Sequence, residues 1–232
     1  MTQETKPTLQ HLSTDAWQEL RLLAEPTSSS FVDVFMATNI HKNKIRRGQR
    51  FLDIGAGGSD ATKRLLELGA DAYAVDPAYV DVSTLYEKIK RANSYHSVSP
   101  FINRSNNALE GFKNSVSSNP ERYIAASADE LPFRDNTFDV VYSRAAIMDN
   151  LDIVWNLFSD SIDESIRVTK PGGTVRLFAF KFEDPLLPPR INRTRLDNQT
   201  RKIRDLASSA VIKAIEVVKF DSVRNAITFQ KA

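Results

Sequence analysis

The sequence predicts an α/β protein with a doubly wound, mostly parallel, seven-stranded sheet, helices on both faces and an antiparallel hairpin at the C-terminal end. Two observations support this fold class. Short apolar runs typical of buried strands alternate with longer segments of helical periodicity, as expected where crossover helices join parallel strands. The last two strand-like runs are separated by a short polar turn, which is typical of a hairpin.

The first strand-like run, Phe51–Leu52, leads into a glycine-rich turn that a helix follows. The turn contains Asp53, Gly55, Ala56 and Gly57. Glycines let the backbone bend sharply and approach a ligand closely, and the start of the next helix offers unpaired N–H groups and a positive dipole end. The turn therefore predicts an adenosine-cofactor site, although an ordinary tight turn has the same pattern.

The glycine spacing distinguishes between two classes of cofactor. A dinucleotide-binding turn has its third glycine beside the pyrophosphate, but this chain has Asp60 there, and a carboxylate would repel phosphate. The turn instead resembles that of the S-adenosylmethionine-dependent methyltransferases, a resemblance that extends to the C-terminus. Asp53, Gly55 and Gly57 match that family's D-x-G-x-G-x-G pattern. Ser59 replaces its last glycine. The resemblance implies S-adenosyl-L-methionine, which carries no phosphate, as the cofactor.

The second strand-like run, residues 72–76, ends in Asp76 about 20 residues after the glycine turn. At this spacing an acid reaches ribose hydroxyls, and a carboxylate can accept two hydrogen bonds from a vicinal diol. The alternative is a turn residue before Pro77. By the resemblance, Pro77 lies where a small apolar side chain packs on the adenine.

Two further strands are predicted at Tyr123–Ser127 and Phe138–Ser143, with Leu131-Pro132-Phe133 between them. This Leu-Pro-Phe followed by Phe-Asp-Val-Val is similar to the same family. An amphipathic helix then ends at a Pro-Gly-Gly turn, and a fifth strand begins at Thr174. The predicted hairpin comprises residues 214–220 and 225–230.

In the resembling family an aspartate after the third strand usually binds the adenine amino group, whereas Ser127 stands at that position here. Ser127 can accept one hydrogen bond, and the backbone N–H of Ala128 is available as a donor. Ser143 ends the fourth strand. Because ligands of such sheets bind at the carboxyl ends of the strands, we expect the glycine turn, Asp76, Ser127 and Ser143 to line one crevice.

Methyl transfer from a sulfonium is a direct displacement, so the protein mainly aligns the acceptor and excludes water. A base is not essential. If one is used, Asp149 after the fourth strand is the candidate, although capping of a helix explains this residue equally well. The chain lacks the Asn-Pro-Pro-Tyr motif of enzymes that methylate adenine or glutamine amides. A small-molecule acceptor is therefore expected, and RNA or protein acceptors stay open.

Composition favours one globular catalytic domain: the chain has 232 residues, 41% of them hydrophobic and 26% charged. Lysine and arginine number 31 against 29 acidic residues, a formal charge of +2 that does not indicate a strongly basic nucleic-acid surface. Nucleic acid is not excluded. Two basic clusters, at residues 41–47 and 190–204, are interpreted as solvated faces or as anion sites. The oligomeric state is not predicted.

There is no cysteine, there are three scattered histidines, and no acidic cluster stands where a carboxylate-bound magnesium site is expected, so we expect no metal site. No apolar stretch approaches the length of about 20 residues that spans a membrane, and the polar start lacks a secretory core. We expect a cytoplasmic location and no membrane contact.

We expect residues 1–50 to form a helical cover, and residues 51–232 to form the cofactor-binding domain with an insertion over residues 80–120. The cover lies over the cofactor in the resembling family or packs on the sheet edge. In the insertion, Leu85–Ala92 is predicted as a helix. Ser94–Asn119 is interpreted as a mobile loop or an inserted helix near the pocket, or as surface decoration.

Two other functions compete with methyl transfer. One is a non-catalytic protein that binds the cofactor and acts through a partner, an alternative kept open by the substitutions at Ser59 and Ser127. The other is a nicotinamide-dependent enzyme, which Asp53, Asp60 and the terminal hairpin disfavour.

Overall fold

The computed structural model describes most of the chain after residue 39. The described residues are 40, 42–95, 102–144, 146–151, 155–179, 189–219 and 225–232. The helical cover expected over residues 1–50 lies largely outside these residues.

The described residues contain a seven-stranded sheet. Its strands are β1 Arg50–Ile54, β2 Asp71–Val75, β3 Tyr123–Ile124, β4 Phe138–Arg144, β5 Thr169–Ala179, β6 Ile212–Lys219 and β7 Asn225–Lys231. Their order is β3-β2-β1-β4-β5-β7-β6. β1 to β5 run parallel, and β7 pairs antiparallel with both β5 and β6. The predicted fold class is confirmed, including the terminal hairpin pairing.

Helices cover both faces of the sheet. They are α1 Ala61–Glu67, α2 Val82–Tyr95, α3 Ile102–Ser118, α4 Trp155–Val168 and α5 Pro189–Ala207. Alternate residues of β1 point to opposite faces: Leu52 packs with Phe158 and Ile162 of α4, whereas Phe51 packs with Leu65 of α1. Short 3₁₀ helices at Pro77–Asp81 and Pro120–Arg122 and a π-helical turn at Ala146–Leu151 connect these elements.

The third strand is shorter than the predicted Tyr123–Ser127, because β3 ends at Ile124. β3 forms an edge of the sheet, and its last residue is paired with Val75, the last residue of β2. Beyond this point β2 offers no further ladder partner. The last backbone contact is the Asp76 N–H, which donates to the Ile124 carbonyl at 3.2 Å.

The Pro-Gly-Gly turn lies within the ladder rather than before it. β5 begins at Thr169, directly after α4, and its register with β4 shifts between Phe138 and Val140. Residues 170–173, which stand opposite the single residue Asp139, include Gly172 at φ +75°, a left-handed conformation that glycine adopts without a steric penalty.

The segment between β2 and β3 contains two helices. The predicted Leu85–Ala92 helix is part of α2, and the segment interpreted as a loop or an inserted helix contains α3. Leu85 of α2 and Phe112 of α3 share one apolar cluster with Ala74 of β2. The inserted helix is thus packed towards the face of the sheet below the glycine turn.

Candidate functional site

The glycine turn lies where β1 and β2 end side by side, with Ile54 paired to Val75. The N–H groups of Gly55 and Ala56 both donate to the Val75 carbonyl, at 2.8 and 3.3 Å. These bonds fold the turn over the end of β2. Asp76, the residue that directly follows β2, is therefore brought against the turn, as the sequence spacing suggests.

Gly57 is held through both of its backbone polar groups. Its N–H donates to Asp76 Oδ2 at 3.0 Å, and its carbonyl accepts from the Tyr79 hydroxyl at 2.8 Å. Asp76 Oδ1 accepts from the Ala78 N–H at 2.9 Å and so caps the 3₁₀ helix. Burial raises the pKa of Asp76, and these two N–H donors oppose the rise. Each carboxylate oxygen keeps a second lone pair for a ligand.

Gly55 is required for two reasons. Its φ of +69° is disfavoured for any residue with a side chain, and a Cβ there would lie 2.1 Å from the Cβ of Ala146. Ala146 begins the π-helical turn after β4, so this contact places that turn directly against the glycine turn.

Asp53 lies inside β1, beside Tyr142 of β4, and is 2% exposed. Among the residues that the structure describes, its Oδ2 and the Tyr142 hydroxyl have no hydrogen-bond partner. Burial raises the pKa of Asp53 to about 7; the nearby Tyr142 hydroxyl and Arg144 lower it, and Asp76 raises it further. An unpartnered buried carboxylate oxygen favours a positively charged ligand group, because a cation stabilises the ionised form.

Ser59 and Asp60, which replace glycines of the methyltransferase and dinucleotide patterns respectively, have local roles. Ser59 Oγ accepts from the Ala61 N–H at 3.1 Å, at the start of α1. Asp60 is buried and faces Gly111 of α3, where an added Cβ would lie 3.0 Å from the Asp60 Cβ. Gly111 therefore makes room for Asp60 in the packing of α3 against the start of α1.

The residues expected to contact adenine follow β2 and β3. Pro77 is exposed and begins the 3₁₀ helix. Ser127 is exposed, and its hydroxyl donates to the Asp129 carboxylate. Ala128 is half-buried against the main core. Asp129 therefore competes with a ligand for the Ser127 hydroxyl, but leaves the backbone N–H of Ala128 outside this contact.

The loop after β3 is fixed by an ion-pair network of α4. Arg167 donates to the carbonyls of Leu131 and Phe133, at 3.0 and 2.8 Å. Glu164, bound to Arg167 at 2.5 Å, accepts from the Leu131 N–H at 2.8 Å. The pKa of Glu164 is lowered mainly by its bond with Arg167. The loop that carries Ser127 and Ala128 thus has a defined position.

The segment after β4 contains Asp149, the predicted catalytic residue. Ser143 is buried, and its Oγ accepts from the Ile147 N–H at 3.4 Å, so this hydroxyl supports the segment. Asp149 lies within the π-helical turn Ala146–Leu151, and its side chain lies outside the described part of the chain. Its place inside the turn differs from the first position of a helix, where a capping residue would stand.

The same segment is held from α5 by residues that sequence analysis missed. Arg195 and Gln199 both donate to the Met148 carbonyl, at 3.2 and 3.3 Å. Lys202 donates to Asp163 at 2.6 Å. The sequence predicts Arg195 and Lys202 to belong to a solvated or anion-binding cluster, but both are buried. The sequence does carry a signal for this burial, because residues 195, 199 and 202 recur at helical spacing and so share one face of α5.

Within the described ranges, no three His, Cys, Asp or Glu side chains come together as a metal site, and no helix has the length and apolarity that a bilayer crossing requires.

Sequence comparison gives one family and several relatives. The profile of the family described as "Methyltransferase domain" matches residues 52–177. A ubiquinone/menaquinone biosynthesis C-methyltransferase from Vibrio campbellii is 29% identical over 144 residues, 62% of this chain and 45% of the relative. The protein with the same name from Escherichia coli is 30% identical over 148 residues, 62% of this chain and 47% of the relative. The chain thus spans about half the length of these relatives.

Solved structures share the fold. A S-adenosylmethionine-dependent methyltransferase from Aquifex aeolicus has a TM-score of 0.51 at 14% identity, covering 93% of this chain and 98% of its own. Phosphoethanolamine N-methyltransferase 2 from Haemonchus contortus, in complex with phosphomonomethylethanolamine and S-adenosylhomocysteine, has a TM-score of 0.51 at 19% identity, covering 85% of this chain and 51% of its own.

Proposed function

The chain belongs to the family of methyltransferase domains, and we propose that it is a S-adenosyl-L-methionine-dependent methyltransferase that acts on a small-molecule acceptor. One observation carries the proposal. The carboxylate of Asp76 is fixed against the glycine turn by the N–H groups of Gly57 and Ala78, and the unpartnered oxygen of Asp53 lies buried in the adjoining strand. Two carboxylates beside a glycine turn suit a cationic nucleoside.

Asp76 binds the ribose diol in this proposal. Its two oxygens are already oriented by backbone donors, so the free lone pairs need no reorganisation when the ligand binds. Gly55, Ala56 and Gly57 line the ligand with backbone alone. Pro77 would pack on the adenine, and the N–H of Ala128 and the hydroxyl of Ser127 would hydrogen-bond to its edge.

Asp53 contributes negative charge to the methionyl end of the site. Its pKa near 7 means that the ligand-free protein holds Asp53 protonated below that pH. A cationic ligand group stabilises the ionised form, so binding releases a proton at pH 6 and releases fewer as the pH rises. The affinity for the cation therefore increases with pH up to about 7.

When bound, S-adenosylmethionine supplies a methyl group on a positively charged sulfur, which is already electrophilic. The chain aligns the acceptor and excludes water. The π-helical turn Ala146–Leu151, which contacts Gly55 through Ala146, supports the acceptor side. Ser143 holds this turn through the Ile147 N–H, and Asp149 within it accepts the proton of an acceptor that needs a base.

A small-molecule acceptor is supported by the names of similar proteins. The curated relatives act in ubiquinone and menaquinone biosynthesis, and one solved structure with this fold holds phosphomonomethylethanolamine. We also propose a cytoplasmic location, which the sequence predicts.

Calorimetry with S-adenosylmethionine, S-adenosylhomocysteine and NAD tests the cofactor. We expect both adenosyl compounds to bind and NAD to fail, and binding of NAD alone would reject the proposal. Transfer of label from methyl-labelled S-adenosylmethionine is then followed in cell extracts separated into small-molecule, RNA and protein fractions. Label in the small-molecule fraction is expected. Tight adenosyl binding without any transferred label would instead support a non-catalytic, cofactor-binding protein.

A further inference from the structure

The carbonyl of Gly57 is held by a residue outside the family motif. Tyr79 donates its hydroxyl to this carbonyl at 2.8 Å, while Asp76 accepts from the Gly57 N–H on the other side of the same residue. Gly57 has φ +52°, and a glycine has unusually wide conformational freedom, so an unheld turn would sample other conformations. Two side chains that bind both polar groups of one glycine restrict that freedom.

Tyr79 is itself positioned by the inserted helix. Its ring stacks on Phe112 of α3, with ring centroids 5.7 Å apart and planes at 23°. Tyr123 of β3 contacts both rings edge-on, at 5.7 and 5.6 Å. Tyr79 is 7% exposed, and burial raises the pKa of its hydroxyl, with Asp76 and Asp53 adding to the rise. The hydroxyl therefore remains a donor across the physiological pH range.

A second contact links α3 to the other end of the turn. Gly111, the neighbour of Phe112, faces Asp60 at the start of α1. Ser115, one helical turn further on, accepts from the Tyr123 hydroxyl at 2.6 Å. Consecutive turns of α3 thus contact the start of α1 and the tyrosines beneath the glycine turn. A displacement of α3 would therefore shift the residues that hold Gly57.

We propose that Tyr79 is a positioning residue for cofactor binding, and that α3, through Phe112, keeps the glycine turn in its binding conformation. This inference rests on the proposed function, because the ligand is the same adenosyl compound. If the turn is competent only part of the time, the apparent dissociation constant rises by the inverse of that fraction. Loss of one hydrogen bond changes the ratio of competent to incompetent turn by about three- to tenfold, and the apparent dissociation constant rises by up to the same factor.

The test compares Tyr79→Phe with Tyr123→Phe. Each variant loses one hydroxyl from the same aromatic cluster, but Tyr123 donates to Ser115, not to the glycine turn. The dissociation constant of S-adenosylhomocysteine is measured by calorimetry, and the unfolding midpoint by thermal denaturation. We expect Tyr79→Phe to weaken binding three- to tenfold and Tyr123→Phe to leave it within twofold of wild type, although both lower the midpoint.

The contribution of α3 is tested with Phe112→Leu, which keeps an apolar side chain but removes the stacked ring. We expect a two- to fivefold weaker affinity in the wild-type background and no further loss in the Tyr79→Phe background. Such non-additivity indicates that Phe112 acts through the Tyr79 hydroxyl. Equal effects in the two backgrounds would overturn the role of α3.

The outcomes separate this inference from the proposed function. If the wild-type protein binds no S-adenosylhomocysteine, the proposed function fails. If it binds, and Tyr79→Phe binds equally well, the positioning role of Tyr79 is overturned while the cofactor assignment stands. Equal weakening by Tyr79→Phe and Tyr123→Phe also overturns it, because a general loosening of the core would then explain both results.

Discussion

The glycine turn and the π-helical turn Ala146–Leu151 meet at the carboxyl edge of the sheet, but the chain holds them by different means. The glycine turn is bound by residues close in sequence: Asp76 follows Gly57 by 19 residues and Tyr79 by 22. The π-helical turn is bound through the Met148 carbonyl by α5, whose contacting residues follow 47 and 51 positions later.

The two proposed tasks of the site, cofactor binding and acceptor binding, therefore depend on different parts of the chain. The hydrogen bonds that hold Gly57 come from Asp76 and Tyr79, which directly follow one strand-helix-strand unit, so this part of the proposed cofactor half is built locally. The proposed acceptor half depends on the helix between β5 and β6, and on the packing of Ala146 against Gly55. Variation of α5 can therefore alter the acceptor side while leaving the contacts of Asp76 in place.

The largest effect is expected where the two halves touch. Gly55→Ala should lower the free energy of unfolding by about 3 to 5 kcal/mol, because it adds a left-handed backbone penalty to a clash with Ala146. Gly48→Ala is the matched control, since Gly48 has φ +73° and no atom of the described residues lies within 4 Å of an added Cβ, and it should cost about 1 to 2 kcal/mol. Urea denaturation measures both; equal losses would contradict the contact with Ala146.

Next is a pH-dependent effect at Asp53. Burial raises its folded-state pKa to about 7, so the stability due to its protonated form is complete below pH 4 and is lost as the pH rises through 7. Asp53→Asn removes this loss and should stabilise the ligand-free protein at pH 8 by about 2 to 4 kcal/mol. Urea denaturation at pH 5, 6.5 and 8 measures the gain, which should grow with pH; a constant difference would count against it.

Asp139→Asn is the control of opposite sign. Burial alone would raise the pKa of Asp139, but the Arg50 N–H and the Lys170 ammonium bind its carboxylate and lower the pKa. The stability that its charge provides is present above pH 4 and is lost as the pH falls. This variant should therefore be less stable than wild type at pH 8, where Asp53→Asn is more stable.

Within the cofactor half, Asp76→Ala should weaken binding of S-adenosylhomocysteine by about 1 to 3 kcal/mol, because the ribose hydroxyls and the Gly57 N–H lose their acceptor. Asp81→Ala is the matched control: this exposed carboxylate binds Thr84 at the start of α2. It should bind within twofold of wild type in calorimetry. Unchanged affinity in Asp76→Ala would show that the ribose binds elsewhere.

The smallest effect is expected in the acceptor half. Gln199→Leu removes one of the two donors to the Met148 carbonyl and should cost about 1 kcal/mol of unfolding free energy, since Arg195 retains its bond. The affinity for S-adenosylhomocysteine should stay within twofold of wild type. If calorimetry instead finds a loss as large as that of Asp76→Ala, the two halves are not held independently.

Local features of the sequence were enough to predict the family and the fold class. The pattern Asp53, Gly55, Gly57, the position of Asp76 and the alternation of strands and helices all depend on short spacings that a turn or a strand imposes on its own residues. The family profile over residues 52–177 and the observed strand order confirm both predictions. The inserted helix is one of three interpretations that the sequence leaves open, because a polar segment rich in serine and asparagine also suits a mobile loop or surface decoration.

The tertiary structure decided which distant side chains meet. It placed Tyr142 beside Asp53, Phe112 against Tyr79 and the buried Arg195 against Met148. These contacts depend on the order of strands in the sheet and on the seating of helices upon it. A sequence pattern specifies neither the strand order nor the packing of the helices, because residues far apart along the chain become neighbours only when the strands and helices have packed together.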